Sequence, residues 1–97
     1  MSDVICQAIR ERRLLSVQYK GRERIVEPYL LFESKAGDLV LHGWQVDGAW
    51  ENTPPPDWSN LKLADVSSVR SLDRTYAHPR PDYDPSSPRF HRVICCT

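Results

Sequence analysis

Arg22 and Arg24 stand beside Gly21 in the stretch VQYKGRERIVEP, residues 17–28, with Tyr19 just ahead of them. Two side chains two positions apart share a face of a regular strand. A guanidinium fork fits the oxygens of a phosphate better than an ammonium does, and a flat ring offers a base something to stack on. His42 and Trp44, also two apart, bring a polar donor and a ring to one face of a later segment, and Lys62 adds a cation on the outer side of the next. Together Tyr19, Arg22, Arg24, His42, Trp44 and Lys62 form a candidate ligand-binding set for an anionic, ring-bearing molecule. Each also has a plainer role. Tyr19 continues the Leu15–Val17 face and suits the core, Trp44 suits a core or an interface, and His42 suits a backbone hydrogen bond. The two arginines can pair with Glu23, Glu27 or Asp65, where exposed ion pairs add little stability.

Catalysis finds no support. The chain has no Gly-x-Ser-x-Gly elbow, no glycine-rich phosphate loop and no His-Glu-x-x-His. His78, Asp82 and Asp84 lie among prolines, where such side chains are ordinarily solvated. No catalytic residue, metal or cofactor is expected. The three cysteines, Cys6, Cys95 and Cys96, are odd in number and lack framework spacing, which argues against a disulfide scaffold. A zinc site would need Cys6 to meet the C-terminal pair and a histidine.

The elements that must carry these residues come from one small domain. The chain has 97 residues, zero formal net charge and a mean hydropathy of −0.53. No apolar run approaches the length of a membrane span, and no signal peptide is evident, so a cytoplasmic soluble protein is expected. The charge is unevenly spread. Residues 10–24 hold six cations (Arg10, Arg12, Arg13, Lys20, Arg22, Arg24) against Glu11 and Glu23, a balance of +4, whereas residues 27–65 hold two cations and seven acids, a balance of −5. A local positive patch attracts an anion even when the total is zero.

SDVICQAIRERR predicts a helix, capped by Ser2 or Asp3, with Val4, Ile5, Ala8 and Ile9 as its apolar stripe. LLSVQY switches to period two, KGRE is a turn that uses Gly21, and RIVEPYLLFE is the returning strand. Pro28 implies an edge, bulge or bend in that strand. LVLHGWQVD follows, with a kink expected at Gly43, and then a proline loop over residues 48–58. SNLKL alternates again, and ADVSSVRSL reads as a short helical turn followed by a strand through Val69 and Leu72. Residues 1–76 are expected to be the folded domain. Residues 77–97 form a Pro-rich C-terminal arm in which FHRVICC can dock as a last strand. The expected fold class is mainly β with one N-terminal helix, a small, bent SH3-like or Sm-like β-barrel of about five strands.

The order Ala8-Ile9, Val17-Gln18-Tyr19, Arg24-Ile25-Val26-Glu27-Pro28 and Leu30, followed by NLKLADVSSV, resembles the WYL domain over residues 4–72. The triplet that names the family aligns with Leu39-Val40-Leu41, without its Trp and Tyr. Lys62 keeps a cation where the family has its first closing arginine, but Asp65 stands at the second. The resemblance implies an Sm-like barrel that senses nucleic-acid-derived ligands, often single-stranded DNA or RNA, in bacterial transcription regulators and defence proteins. Members usually carry a winged helix-turn-helix, which this chain has no room for. The expected function is therefore non-catalytic ligand sensing, with single-stranded DNA, RNA or a nucleotide as partner. The alternative is a protein-interaction or self-assembly module, either a homo-oligomer or a partner of a regulatory protein. Trp44, Trp50, Trp58 and the prolines at 54–56 would form its apolar surface.

Overall fold

The computed structural model describes all 97 residues. One helix, α1 (Ser2–Glu11), precedes five antiparallel strands: β1 (Arg13–Tyr19), β2 (Arg22–Glu33), β3 (Leu39–Gly48), β4 (Asp57–Lys62) and β5 (Val66–Thr75). A 3₁₀ turn at Leu63–Asp65 joins β4 to β5, and a sixth strand, β6 (Arg92–Cys96), follows the proline-rich segment. The sheet order is β4-β3-β2-β1-β5, with β6 also paired to β2. No ladder joins β4 to β5, so the sheet is not closed into the barrel that the strand count suggested. The 3₁₀ turn spans that corner instead.

The local rules explain most of these elements. Ile5, Ala8 and Ile9 fall on one side of α1 and are buried. Val4 does not belong to that stripe and is exposed. Met1, with no side-chain hydrogen bond, occupies the cap position expected of Ser2 or Asp3. At the other end Arg12 adopts a left-handed conformation, φ 55°, and its N–H reaches back to the last turn, which stops the helix. Lys20 and Gly21, both with positive φ, make the two-residue turn between β1 and β2. Positive φ at both positions matches the twist of paired strands, and glycine reaches it without steric cost.

Pro28 lies where β2 changes partners. Residues Arg22–Val26 pair with β1, whereas Leu30–Glu33 pair with β6. The β2–β3 register slips between Pro28 and Leu30. Opposite Pro28 sits Gly43, where a Cβ would meet the Glu27 carbonyl oxygen at 2.4 Å. Glycine lets the two backbones close at this bend.

The sheet is buried on both faces. On one, Leu15, Val17, Tyr19, Val26, Leu31, Leu41, Leu61 and Val66 form a single core with Ile5, Ala8 and Ile9 of α1. On the other, Leu14, Tyr29 and Tyr76 form one cluster and Leu30, Phe32, Val40 and Phe90 a second, with Tyr83 packed against both. Phe90 and Tyr83 come from the proline-rich segment, which thus covers this second face. Burying each large apolar side chain contributes roughly 1.5–3 kcal/mol.

The expectation against disulfides is overturned. Cys6 of α1 and Cys95 of β6 are bonded, with Cα atoms 5.8 Å apart and 89 positions apart in sequence. Cys96 is free and exposed. Spacing alone could not reveal this pair, because it depends on β6 returning along β2 to the start of the chain.

Candidate nucleic-acid interface

A cleft of about 320 Å³ opens between the β1–β2 hairpin, β4 and the loop after β3. Tyr19, Lys20 and Arg24 form one wall, Trp58, Ser59 and Asn60 another, and Trp50, Glu51, Asn52 and Thr53 the rim. Arg24 is its centre. Its side chain is only 11% exposed, and its guanidinium lies over the Tyr19 ring at 4.9 Å. One amine reaches Gln45 Oε1 at 3.4 Å and the other Glu51 at 3.6 Å, while Nε is buried without a partner. A buried N–H with no acceptor is costly unless something else supplies one.

Lys20 also faces Glu51, at 3.8 Å, and lies 5.4 Å from the centre of the Tyr19 ring. A single half-exposed carboxylate therefore serves both cations. Asp57 on the far wall is held by Thr53 at 2.6 Å and by the Trp58 N–H at 2.8 Å, which lowers its pKa. The cleft thus combines two cations, two carboxylates, three aromatic side chains and three amide side chains; the cations and rings are the types that grip phosphate and stack bases.

The predicted residues are not all assembled here. Tyr19 and Arg24 meet, and Tyr19 both packs in the core and lines the cleft. Arg22 is exposed, opposite Tyr19 in the ladder, and does not line the cleft. Lys62 pairs with Asp38 at 3.6 Å, away from it. The acid that Arg24 meets is Glu51 rather than Glu23, Glu27 or Asp65, and Glu23 instead accepts from Ser16 at 2.5 Å.

His42 and Trp44 flank Trp58 on the second face of the sheet. His42 stacks on Trp58 with centroids 4.9 Å apart and planes 6° from parallel, and Trp44 meets it edge-on at 5.2 Å. His42 is buried, and its Nδ1 bonds to the Asn60 side chain at 2.9 Å rather than to backbone. Burial holds its pKa below the ordinary histidine value, against the opposing pull of Asn60. Trp44 carries the Arg80 guanidinium at 5.2 Å.

Sequence reasoning missed Lys20, Glu51 and Trp58. Only the high local count of cations hinted at Lys20. Trp58 stands near prolines in the sequence, with nothing there to show that it both lines the cleft and stacks on His42.

A family model, the WYL domain, matches residues 1–71. The chain belongs to the WYL domain family. No curated protein and no solved structure matches it. WYL domains are generally ligand-sensing regulatory domains and typically non-catalytic. The match ends before Ala77, so the proline-rich segment that covers the second face of this WYL domain lies outside it. No cluster of three or more His, Cys, Asp or Glu side chains is arranged to hold a metal ion. No helix is long and apolar enough to cross a membrane.

Proposed function

We propose that this WYL domain senses a nucleic-acid-derived ligand, a single-stranded oligonucleotide or a nucleotide, in the cleft around Arg24. The observation that carries this is the Arg24 guanidinium stacked on Tyr19, nearly buried and with an unpartnered Nε, at the base of an open cleft. A phosphate there would displace the Glu51 carboxylate and take the charge of Lys20 and Arg24. Trp58 and Tyr19 would meet the base or sugar, and Asn52 and Asn60 offer donors and acceptors to its edge. A cleft of this volume suits one nucleotide unit at a time, at the small end of ligand pockets.

The test is a fluorescence-anisotropy titration with short labelled single-stranded DNA and RNA at two salt concentrations. Binding that weakens as salt rises, with a slope of about one to two phosphate contacts, is the expected result. Absence of binding at low salt to every oligonucleotide and mononucleotide tried overturns it.

A second reading, a self-assembly or partner-binding module, is favoured by the apolar side chains left outside. Trp50 is exposed at the cleft rim, and Val93 and Ile94 are 41% and 40% exposed on β6, which has a free edge. Sedimentation of the full chain over a hundredfold concentration range separates the two, since ligand sensing needs no change in mass.

A further inference from the structure

Trp58 belongs to two surroundings at once. It lines the Arg24 cleft, and it also borders a smaller space with His42, Asp82, Asp84 and Phe90. Its indole N–H donates to Asp82 at 2.8 Å. Asp82 lies in the segment 77–91, so the position of that segment fixes one wall of the cleft. Asn60 ties the same wall to His42, which stacks on Trp58.

The segment is attached at three places. Near its start, Arg80 holds Glu27 through two hydrogen bonds. In the middle, Tyr83 packs on Tyr29 and Phe90 on Phe32. At the end, β6 pairs with Leu30–Glu33 of β2. This last attachment has little apolar support; beyond the ladder, its side-chain tie is the largely exposed Arg92–Glu33 ion pair at 3.1 Å. Of the five β6 residues only Cys95 turns inward, while Arg92, Val93, Ile94 and Cys96 are exposed. β6 brings no apolar anchor of its own beyond Cys95, and that side chain is bonded to Cys6 of α1. The covalent link, rather than burial, fastens this end.

We infer that the Cys6–Cys95 bond is a redox clip on the C-terminal arm, and that opening it loosens the Asp82–Trp58 wall and weakens ligand binding in the cleft. The affinity part of this inference rests on the function proposed above. A dithiol reductant supplies the two electrons. One of its thiolates attacks Cys95 Sγ, the bond to Cys6 breaks, and Cys6 leaves as a thiolate that takes up a proton. The second thiol then closes onto the mixed disulfide, releasing Cys95 and leaving the reductant as a disulfide. With the bond open, β6 is held on β2 by its ladder and the exposed Arg92–Glu33 pair alone; whenever it leaves, the arm is held by Arg12 at the Ala77 carbonyl, Arg80, Tyr83 and Phe90, and Trp58 loses its fixed partner for part of the time. A less organised wall binds the same ligand more weakly.

The experiment follows the indole N–H resonance of Trp58 by NMR in the full chain, assigned with Trp58→Phe. Asp82→Asn marks where the resonance moves when the carboxylate is lost. Dithiothreitol, and separately the Cys6→Ser/Cys95→Ser variant, should shift the Trp58 signal toward the Asp82→Asn position and broaden the β6 amides. Labelled oligothymidylate should then bind about threefold or more weakly than to the oxidised chain. An unchanged Trp58 signal in chain verified as reduced overturns the inference, whatever binds. A moved signal with equal affinity in both states overturns the coupling to the cleft. If oligothymidylate binds neither state, the proposed ligand fails. The NMR result still decides the inference, because a moved signal upholds the clip acting on Trp58 and an unmoved one refutes it.

Discussion

Arg80 grips Glu27 from 53 positions away, with Nε at 3.2 Å from Oε1 and Nη2 at 2.8 Å from Oε2. The Glu27 side chain is 8% exposed and lies inside β2, and its only other side-chain partner is the Tyr29 hydroxyl, which donates at 2.6 Å. Removing Arg80 leaves a buried carboxylate without a counter-ion. Arg80→Ala should cost about 2 kcal/mol, below the cost at a fully buried pair because the Arg80 side chain is 42% exposed. Adding Glu27→Gln should recover part of that, since a neutral amide needs no counter-ion. Urea unfolding of the single and double variants measures both, and an unchanged midpoint in Arg80→Ala would show that the arm does not hold this acid.

Gly43→Ala should be among the most damaging single-methyl changes in the chain. The new Cβ would stand 2.4 Å from the Glu27 carbonyl oxygen and 3.3 Å from Pro28 Cα, both backbone. β2 and β3 must separate at their bend, at a cost of about 1–3 kcal/mol. The same urea measurement checks it, and a wild-type midpoint would mean that the strands do not approach so closely.

His42 makes stability depend on pH. Its folded pKa lies below the ordinary 6.5 because burial disfavours the imidazolium. As pH falls past 6.5 the unfolded chain takes up this proton first, so folding weakens from there down through the lowered folded value. Stability should therefore rise with pH across that window, and His42→Gln should flatten this part of the profile. A slope in thermal unfolding between pH 5 and 7 that His42→Gln leaves intact (pH values chosen about the histidine range) would assign it elsewhere.

Arg24→Ala should abolish salt-sensitive oligonucleotide binding, whereas Arg22→Ala and Lys62→Ala should change it little, since neither lines the cleft. Glu51→Gln should act in the opposite direction. It frees Lys20 and Arg24 from a half-exposed carboxylate that a phosphate must displace, and ion pairs open to solvent on one side are worth about 1 kcal/mol, or about fivefold in affinity. Anisotropy titrations read all four variants. Equal losses at Arg22 and Arg24 would place the ligand on the open hairpin face instead.

Much of the frame was legible beforehand. The period change after Arg13, the turn at Lys20-Gly21, the bend at Pro28 and the short turn before Val66 all follow from residues within a few positions of each other. Val4 misled because, with Ile5, Ala8 and Ile9 facing inward, position 4 falls at the edge of that stripe, about 90° from its centre at about 100° per residue, and its side chain stays exposed. The barrel label overreached because strand count does not say whether the first and last edges join. The site was legible only in part. Tyr19 and Arg24 stood out through ring, charge and spacing, but equal spacing also promoted Arg22, whose side chain ends outside the cleft.

What the sequence determined by itself was local: which stretches are helix or strand, which positions turn, and which family pattern they follow. Such features depend on backbone geometry and on neighbours a few residues away. The tertiary structure alone decided which distant groups meet. Arg24 finds Glu51, Glu27 finds Arg80, and Cys6 finds Cys95. Each meeting depends on the register of β2 in its ladders with β3 and β6, and no local period encodes it. A one-residue slip in either ladder would turn these side chains to the opposite face.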